Sequence, residues 1–145
     1  MAIGGGGSGG GPVGQSNSFT GPAEAIEIIG SHCFAYSGVV ASVGSQSAAT
    51  TRTLSFTSGN YYAKIRLTFS NDLTSASANE FYGIKMNGVE IYKAENEHNL
   101  DTVTNPLLIH LIIPPYTEFE TLVGSSGDPM DTTTIISGRI YRQNV

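Results

Sequence analysis

The stretch from Asn60 to Ser70, NYYAKIRLTFS, alternates apolar and polar residues throughout its length. One side would carry Tyr61, Ala63, Ile65, Leu67 and Phe69, and the other Tyr62, Lys64, Arg66 and Thr68. Because successive side chains of a strand point to opposite faces, this pattern predicts a half-buried β-strand with one side in water. No long helical period interrupts the rest of the chain. Antiparallel sheets are therefore expected, since parallel sheets need crossover helices.

Further segments have strand character, and together they predict about eight strands. They are 23–30, 34–43, 46–56, 80–93, 106–113, 118–123 and 133–142. Residues 80–93 form a hairpin signal, because Asn87-Gly88 suits a type I′ turn between two strands. Residues 23–30 also have helical features, with Pro22 as a start and Gly30 as a stop. We expect polar loops at 71–79 and 94–105, and an all-β fold, either a barrel or a jelly-roll-like antiparallel β-sandwich, of which we favour the sandwich.

The first 22 residues differ in composition from the rest, since Gly4 to Gly11 is glycine except for Ser8. Such a segment buries too little apolar surface to order itself, so we expect a flexible arm at 1–22 and a single β-sandwich domain at 23–145. The arm would dock on a neighbouring subunit through three apolar anchors, Ile3, Val13 and Phe19. The glycines match G-x-G-x-x-G trivially, and no strand precedes them, so we expect no nucleotide site.

The charge of the chain argues against a nucleic-acid partner. The net charge is −5, and the seven basic residues are dispersed, whereas nucleic-acid binding needs a basic footprint. The longest strongly apolar run, 107–113, is far shorter than the roughly 20 residues of a membrane helix, so no membrane span is expected. The N-terminus lacks the pattern of a secretory signal. The single cysteine, Cys33, excludes an internal disulfide and is expected to be a small buried apolar residue.

Candidate catalytic and metal-binding residues lack the patterns that such chemistry needs. His110 would share a strand face with Leu108 and Ile112, and no partner for a catalytic base is indicated. An acidic stretch could bind a cation but lacks the calcium-loop spacing, and it contains Glu90, Glu95, Glu97, His98 and Asp101. Asp128 and Asp131 belong to a turn. His32 and Cys33 would point to opposite faces of a strand. We therefore expect no catalytic residue, no metal site and no cofactor.

Two prolines, Pro114 and Pro115, interrupt the sequence LLIHLIIPPYTEFETLV. Proline removes a backbone donor and fixes φ, so this pair suits a corner better than a strand centre. The expected arrangement is a strand over 107–113, a corner at 114–117 and a strand over 118–123.

The corner IPPYTEF at 113–119, the closing SGRIY at 137–141 and the hairpin YGIKMNGVEIY at 82–92 together resemble small jelly-roll virion proteins of tailed phages and other double-stranded DNA viruses. The resemblance covers residues 34–142. It implies a minor capsid, decoration (cement) or vertex protein of the virion, and it implies no catalytic residues. The implied partner is the major capsid protein or another shell protein, bound by a homo-oligomer, a trimer or a pentamer. Tyr116 in the corner is a candidate contact residue.

Two other functions share this fold, because fold does not determine function. A receptor- or carbohydrate-binding module would use Tyr61, Tyr62 or Tyr116 as aromatic contacts. An enzyme would need a concave pocket around His110 in which a carboxylate hydrogen-bonds to the imidazole.

Overall fold

A computed structural model of the chain describes residues 21–72, 77–99 and 107–142. This part of the chain contains ten β-strands and no helix. The strands are β1 (Glu27–Ile29), β2 (His32–Tyr36), β3 (Val40–Ala41), β4 (Thr51–Thr57), β5 (Tyr61–Asp72), β6 (Ser77–Met86), β7 (Val89–Asn99), β8 (Leu107–Ile113), β9 (Glu118–Ser125) and β10 (Asp131–Arg142). The all-β prediction is confirmed, and the described residues contain ten strands where about eight were expected.

The strands form two antiparallel sheets. One has the order β1-β2-β10-β5-β8, with β3 also paired to β10, and the other has the order β4-β9-β6-β7. The sheets face each other as a β-sandwich, because both bury their inward side chains in one shared core. In the described residues the outer strands are β1 and β8 in the first sheet and β4 and β7 in the second.

The core lies between the sheets and follows the predicted alternation of β5. Ala63, Ile65, Leu67 and Phe69 are buried, whereas Tyr62, Lys64 and Arg66 are exposed. The other sheet supplies partners for these side chains, and the rings of Phe69 and Tyr82 lie 5.0 Å apart. Burying a side chain of this size contributes about 1.5–3 kcal/mol.

Three buried threonines form a polar contact between the two sheets. A register shift between Arg52 and Leu54 leaves both Thr53 and Leu54 buried, although they are adjacent. The hydroxyl oxygen of Thr53 lies 2.7 Å from that of Thr121 on β9 and 2.8 Å from that of Thr134 on β10. The three hydroxyl groups satisfy one another inside the core, which is how buried polar groups avoid a desolvation cost.

A second buried polar group lies on β6. The hydroxyl of Tyr82 donates a hydrogen bond to Oε2 of the fully buried Glu80 at 3.0 Å and accepts one from the side-chain amide of Asn71. Burial raises the pKa of the Tyr82 hydroxyl, and the Glu80 carboxylate raises it further by disfavouring a second negative charge.

The predicted turn and corner are both present. Asn87 and Gly88 have φ values of 51° and 79°, as a type I′ hairpin turn requires. Pro114–Thr117 joins β8 to β9, and the hydroxyl of Ser58 holds this corner. It donates to the carbonyl of Pro114 at 2.7 Å and accepts from the backbone N–H of Thr117 at 2.8 Å.

Several predicted boundaries are wrong. The expected loop at 94–105 begins as strand, since β7 continues to Asn99 along the equally long β6, which supplies its backbone hydrogen bonds. The expected loop at 71–79 is shortened from both ends by β5 and β6. Residues 46–50 are not strand. They lie against β9, where the N–H groups of Gln46 and Thr50 donate to its carbonyls. The strand expected over 34–43 is divided into β2 and β3. Of the two alternatives for residues 23–30, the strand is correct in part, because Glu27–Ile29 forms β1.

Candidate functional site

The outer face is the side of the β1-β2-β10-β5-β8 sheet that points away from the core. Its composition differs from the corresponding side of the other sheet, where the ion pair between Arg52 and Glu120 lies, with N and O 2.6 Å apart. The outer face combines aromatic and aliphatic side chains with basic ones. Its exposed large apolar side chains are Ile29, Tyr36, Tyr62, Leu108, Ile112, Ile135 and Tyr141. A face of this kind is unusual for a surface that only contacts water.

Strand β8 forms one border of the outer face and is its most apolar part. Leu108 and Ile112 are 47% and 55% exposed, and His110 lies between them on the same side. The predicted shared face of these three residues is confirmed. No charged residue or proline lies within Leu107–Ile113, although such residues commonly protect outer strands from pairing with other chains.

A groove of about 260 Å³ opens on the outer face where β10, β5 and β8 meet. Its lining comprises Lys64, Ile65, Arg66, His110, Ser137, Gly138, Arg139 and Tyr141. Arg139 lies directly opposite Lys64, and Arg66 lies directly between Ser137 and His110. Directly opposed residues have Cβ atoms about 4.5–5.5 Å apart, so three cationic side chains and one imidazole share a small area.

The cations of the groove have no acidic partners among the described residues. Within that part of the chain, Lys64, Arg66 and Arg139 form no ion pair, and Arg139 donates only to the hydroxyl of Ser31, at 3.2 Å. Glu27 lies in the same cross-strand row as Arg66, three strands away. Glu27 is nearer to Arg139, two strands away in the adjacent row, and the two side chains form no ion pair. Partial burial raises the pKa of the Glu27 carboxyl.

Gly138 forms part of the groove floor because β10 and β5 approach closely there. A Cβ atom at this position would lie 2.1 Å from the carbonyl oxygen of Lys64 and 2.8 Å from the Cα of Ile65. Any residue larger than glycine would push the two strands apart. The spacing of Lys64 and Arg139 therefore depends on this glycine.

The structure divides the other predicted site residues into several groups. Residues 1–20 of the predicted arm lie outside the described residues, and with them the three anchors Ile3, Val13 and Phe19. Asp101 also lies outside them. Tyr116 lies in the corner, 66% exposed and with a φ of 52°. Tyr62 is exposed, but Tyr61 is buried in the core, so the suggestion that Tyr61 contacts a carbohydrate is wrong. Cys33 is buried and free, as predicted, and burial raises the pKa of its thiol.

The side chains of Glu97 and His98, like Asp101, lie outside what the structure describes, so only the other histidine and acidic candidates can be placed. His110 borders the groove, and no described carboxylate forms a hydrogen bond or ion pair with it. Glu90 and Glu95 are exposed on β7. Nowhere in the described residues do three His, Cys, Asp or Glu side chains come together as metal ligands.

No family model matches the chain, and no curated protein matches it significantly. In the described ranges, no helix has the length and apolar character needed to cross a membrane.

No motif or local pattern in the sequence indicates the groove. The three cationic residues of the groove are dispersed along the sequence, separated by up to 75 positions. The alternation around Lys64 and Arg66 does place both on the wet side of one strand. Only the pairing of β5 with β10 brings Arg139 beside them.

Proposed function

We propose that the chain is a jelly-roll β-sandwich that functions by contact, as a minor capsid, decoration or vertex protein of a virion. The fold part of the proposal rests on nested strand pairing. β6 pairs with β7, β5 with β8, β4 with β9, and β2 with β10. An eight-stranded ribbon paired in this way and wrapped into two sheets is a jelly roll, an architecture found in viral capsid and lectin domains.

The contact role rests on one observation, the apolar outer strand β8 at the border of the outer face. Leu108 and Ile112 expose apolar surface there, beside backbone groups that no described strand pairs with. Such a strand can add a strand from another chain, with backbone hydrogen bonds providing affinity and side chains providing specificity. The proposed partners are a neighbouring copy of this chain and a larger shell protein, such as the major capsid protein. A trimer or pentamer would match the symmetry axes of a shell.

A charge-insertion experiment tests this role. The double substitution Leu108→Lys/Ile112→Lys adds charge to β8 at two exposed positions, so the core is unchanged. We expect loss of self-association in analytical ultracentrifugation and loss of the protein from purified particles when a virus carries the variant. Val89→Lys/Ile91→Lys is the matched control, since these residues are similarly exposed on β7. Incorporation of the β8 variant at the wild-type level would exclude β8 as the docking strand.

The 1–22 arm is proposed to add contacts between subunits through Ile3, Val13 and Phe19. Ordering such a segment costs about 1–2 kcal/mol per residue of backbone entropy, so it requires many contacts on the assembled particle. Deletion of residues 2–20 should leave the circular dichroism spectrum of the sandwich intact and reduce incorporation into particles. Unchanged incorporation would remove the arm from the proposal.

A receptor- or carbohydrate-binding module is the second candidate, and one observation favours it. Tyr62 and Tyr141 are exposed and directly opposite each other on β5 and β10. Paired aromatic rings can stack on a sugar and leave the phenol hydroxyls for hydrogen bonds. Glycan-array binding that is lost in both Tyr62→Ala and Tyr141→Ala, and retained in Tyr116→Ala, would support this function over shell docking.

A further inference from the structure

We propose that the groove between β10, β5 and β8 is a binding site for a tetrahedral oxyanion, a phosphate or sulfate group. This site is separate from the docking strand of the proposed function. It would be retained if β8 bound no partner, because the three cations lie on β5 and β10.

The first argument is the concentration of positive charge in an acidic chain. The net charge is −5, yet three of the seven basic residues line one groove of about 260 Å³. By contrast, Arg52, on the other sheet, has Glu120 at 2.6 Å. The groove cations therefore differ from an ordinary mixed surface, in which basic and acidic side chains alternate.

The second argument is that this arrangement is unfavourable when the groove is empty. Like charges directly opposite each other on neighbouring strands are destabilising, and Arg139 is directly opposite Lys64. Arg66 is the next outward residue after Lys64 on the same strand. An anion held between the three would replace this repulsion with charge-assisted hydrogen bonds.

The third argument concerns the type of anion. Three cationic side chains match a group with about two negative charges better than a carboxylate with one, and a phosphate group carries about −1.5 to −2 at neutral pH. Arginine suits such a group because its planar guanidinium presents several donors in a fixed geometry. Ser137 adds a hydroxyl donor, and the ring of Tyr141 forms a wall against which the organic part of a phosphate ester can lie.

Binding is tested by titration of the full chain with inorganic phosphate, inorganic sulfate and glucose 6-phosphate. We expect saturable heat in calorimetry and amide chemical-shift changes centred on Ser137 and Gly138. Acetate and sodium chloride at matched ionic strength should produce neither. Tighter binding of glucose 6-phosphate than of inorganic phosphate, with no binding of glucose itself, would assign the site to a phosphate ester, and equal binding of the two phosphates would assign it to the free ion. Effects of phosphate no larger than those of sodium chloride would overturn the proposal.

Charge reversal provides the specific test. Arg139→Glu should abolish saturable phosphate binding, whereas Lys93→Glu makes the same change in net charge on an exposed residue of the other sheet and should leave binding intact. The milder Arg139→Gln, which places no carboxylate opposite Lys64, should weaken phosphate binding by up to about fivefold. Equal weakening of phosphate binding by Arg139→Glu and Lys93→Glu would show a general effect of net charge and exclude a specific site in the groove.

Discussion

The three core threonines allow a sharp test of how the two sheets are joined. Thr53→Val keeps the shape of the side chain and removes the hydroxyl that lies between those of Thr121 and Thr134. All three residues are fully buried, so the two remaining hydroxyls would lose their described side-chain partner without gaining water. A buried unsatisfied polar group costs about 1–3 kcal/mol. We therefore expect Thr53→Val to lower the free energy of unfolding by about 2–4 kcal/mol.

The triple variant Thr53→Val/Thr121→Val/Thr134→Val distinguishes this explanation from simple packing damage. Replacing all hydrogen-bonding partners by apolar groups of the same shape can be nearly neutral, so the triple variant should recover most of the lost stability. The assay is urea unfolding followed by tyrosine fluorescence and circular dichroism, with coincident transitions as the check for two-state behaviour. If the free energy of unfolding of Thr53→Val were within about 0.5 kcal/mol of the wild-type value, the reasoning would be refuted, because ordinary surface substitutions have effects of that size. Additive losses in the triple variant would refute it as well.

Three further predictions concern single residues. Gly138→Ala should destabilise the fold by about 1–3 kcal/mol in the same urea assay, because its Cβ would lie 2.1 Å from the carbonyl oxygen of Lys64; increased stability would contradict that close approach. Gly88→Ala should cost about 1 kcal/mol, since the φ of 79° suits glycine, and no change in urea midpoint would argue against the type I′ turn. The pKa of the Tyr82 hydroxyl is raised in the folded state. Its contribution to the free energy of unfolding is therefore complete below the ordinary pKa of 10 and is lost as the pH rises above that value. In Tyr82→Phe the fall of unfolding free energy with alkaline pH should become shallower, and an unchanged slope would contradict the buried hydroxyl.

Local pattern was sufficient for the elements in which side chains alternate strictly. The alternation of β5, the Asn87-Gly88 turn and the proline corner were all predictable, because each depends on neighbouring residues only. The face of β8 that carries His110 was predictable for the same reason.

The wrong boundaries have a common physical cause. Residues 95–99 are polar and have little strand propensity, but β6 provides a continuous backbone partner for them. Residues 46–50 had acceptable strand composition, yet they lie against β9 near Gly124, where a Cβ would meet the carbonyl of Ala48 at 2.3 Å. In both cases the tertiary environment outweighed intrinsic preference.

The candidate site was beyond prediction for a different reason. It depends on the order of strands in a sheet, and the contact between Lys64 and Arg139 follows from pairing two strands far apart in the chain. The basic residues are dispersed along the sequence, but three of them come together on the folded surface.

The nested pairing also has a consequence for the rate of folding. The innermost pair, β6 with β7, needs only a two-residue turn, whereas β2 and β10 join positions roughly 100 residues apart. Each successive pair closes a longer loop, and chains dominated by such distant contacts fold slowly, in milliseconds to seconds. The hairpin at Asn87-Gly88 is the natural starting point, and β10 can complete its sheet only after nearly the whole chain is available. Until then the apolar β8 cannot join a completed sheet of β5 and β10. Association of β8 with other chains is therefore most to be expected during synthesis.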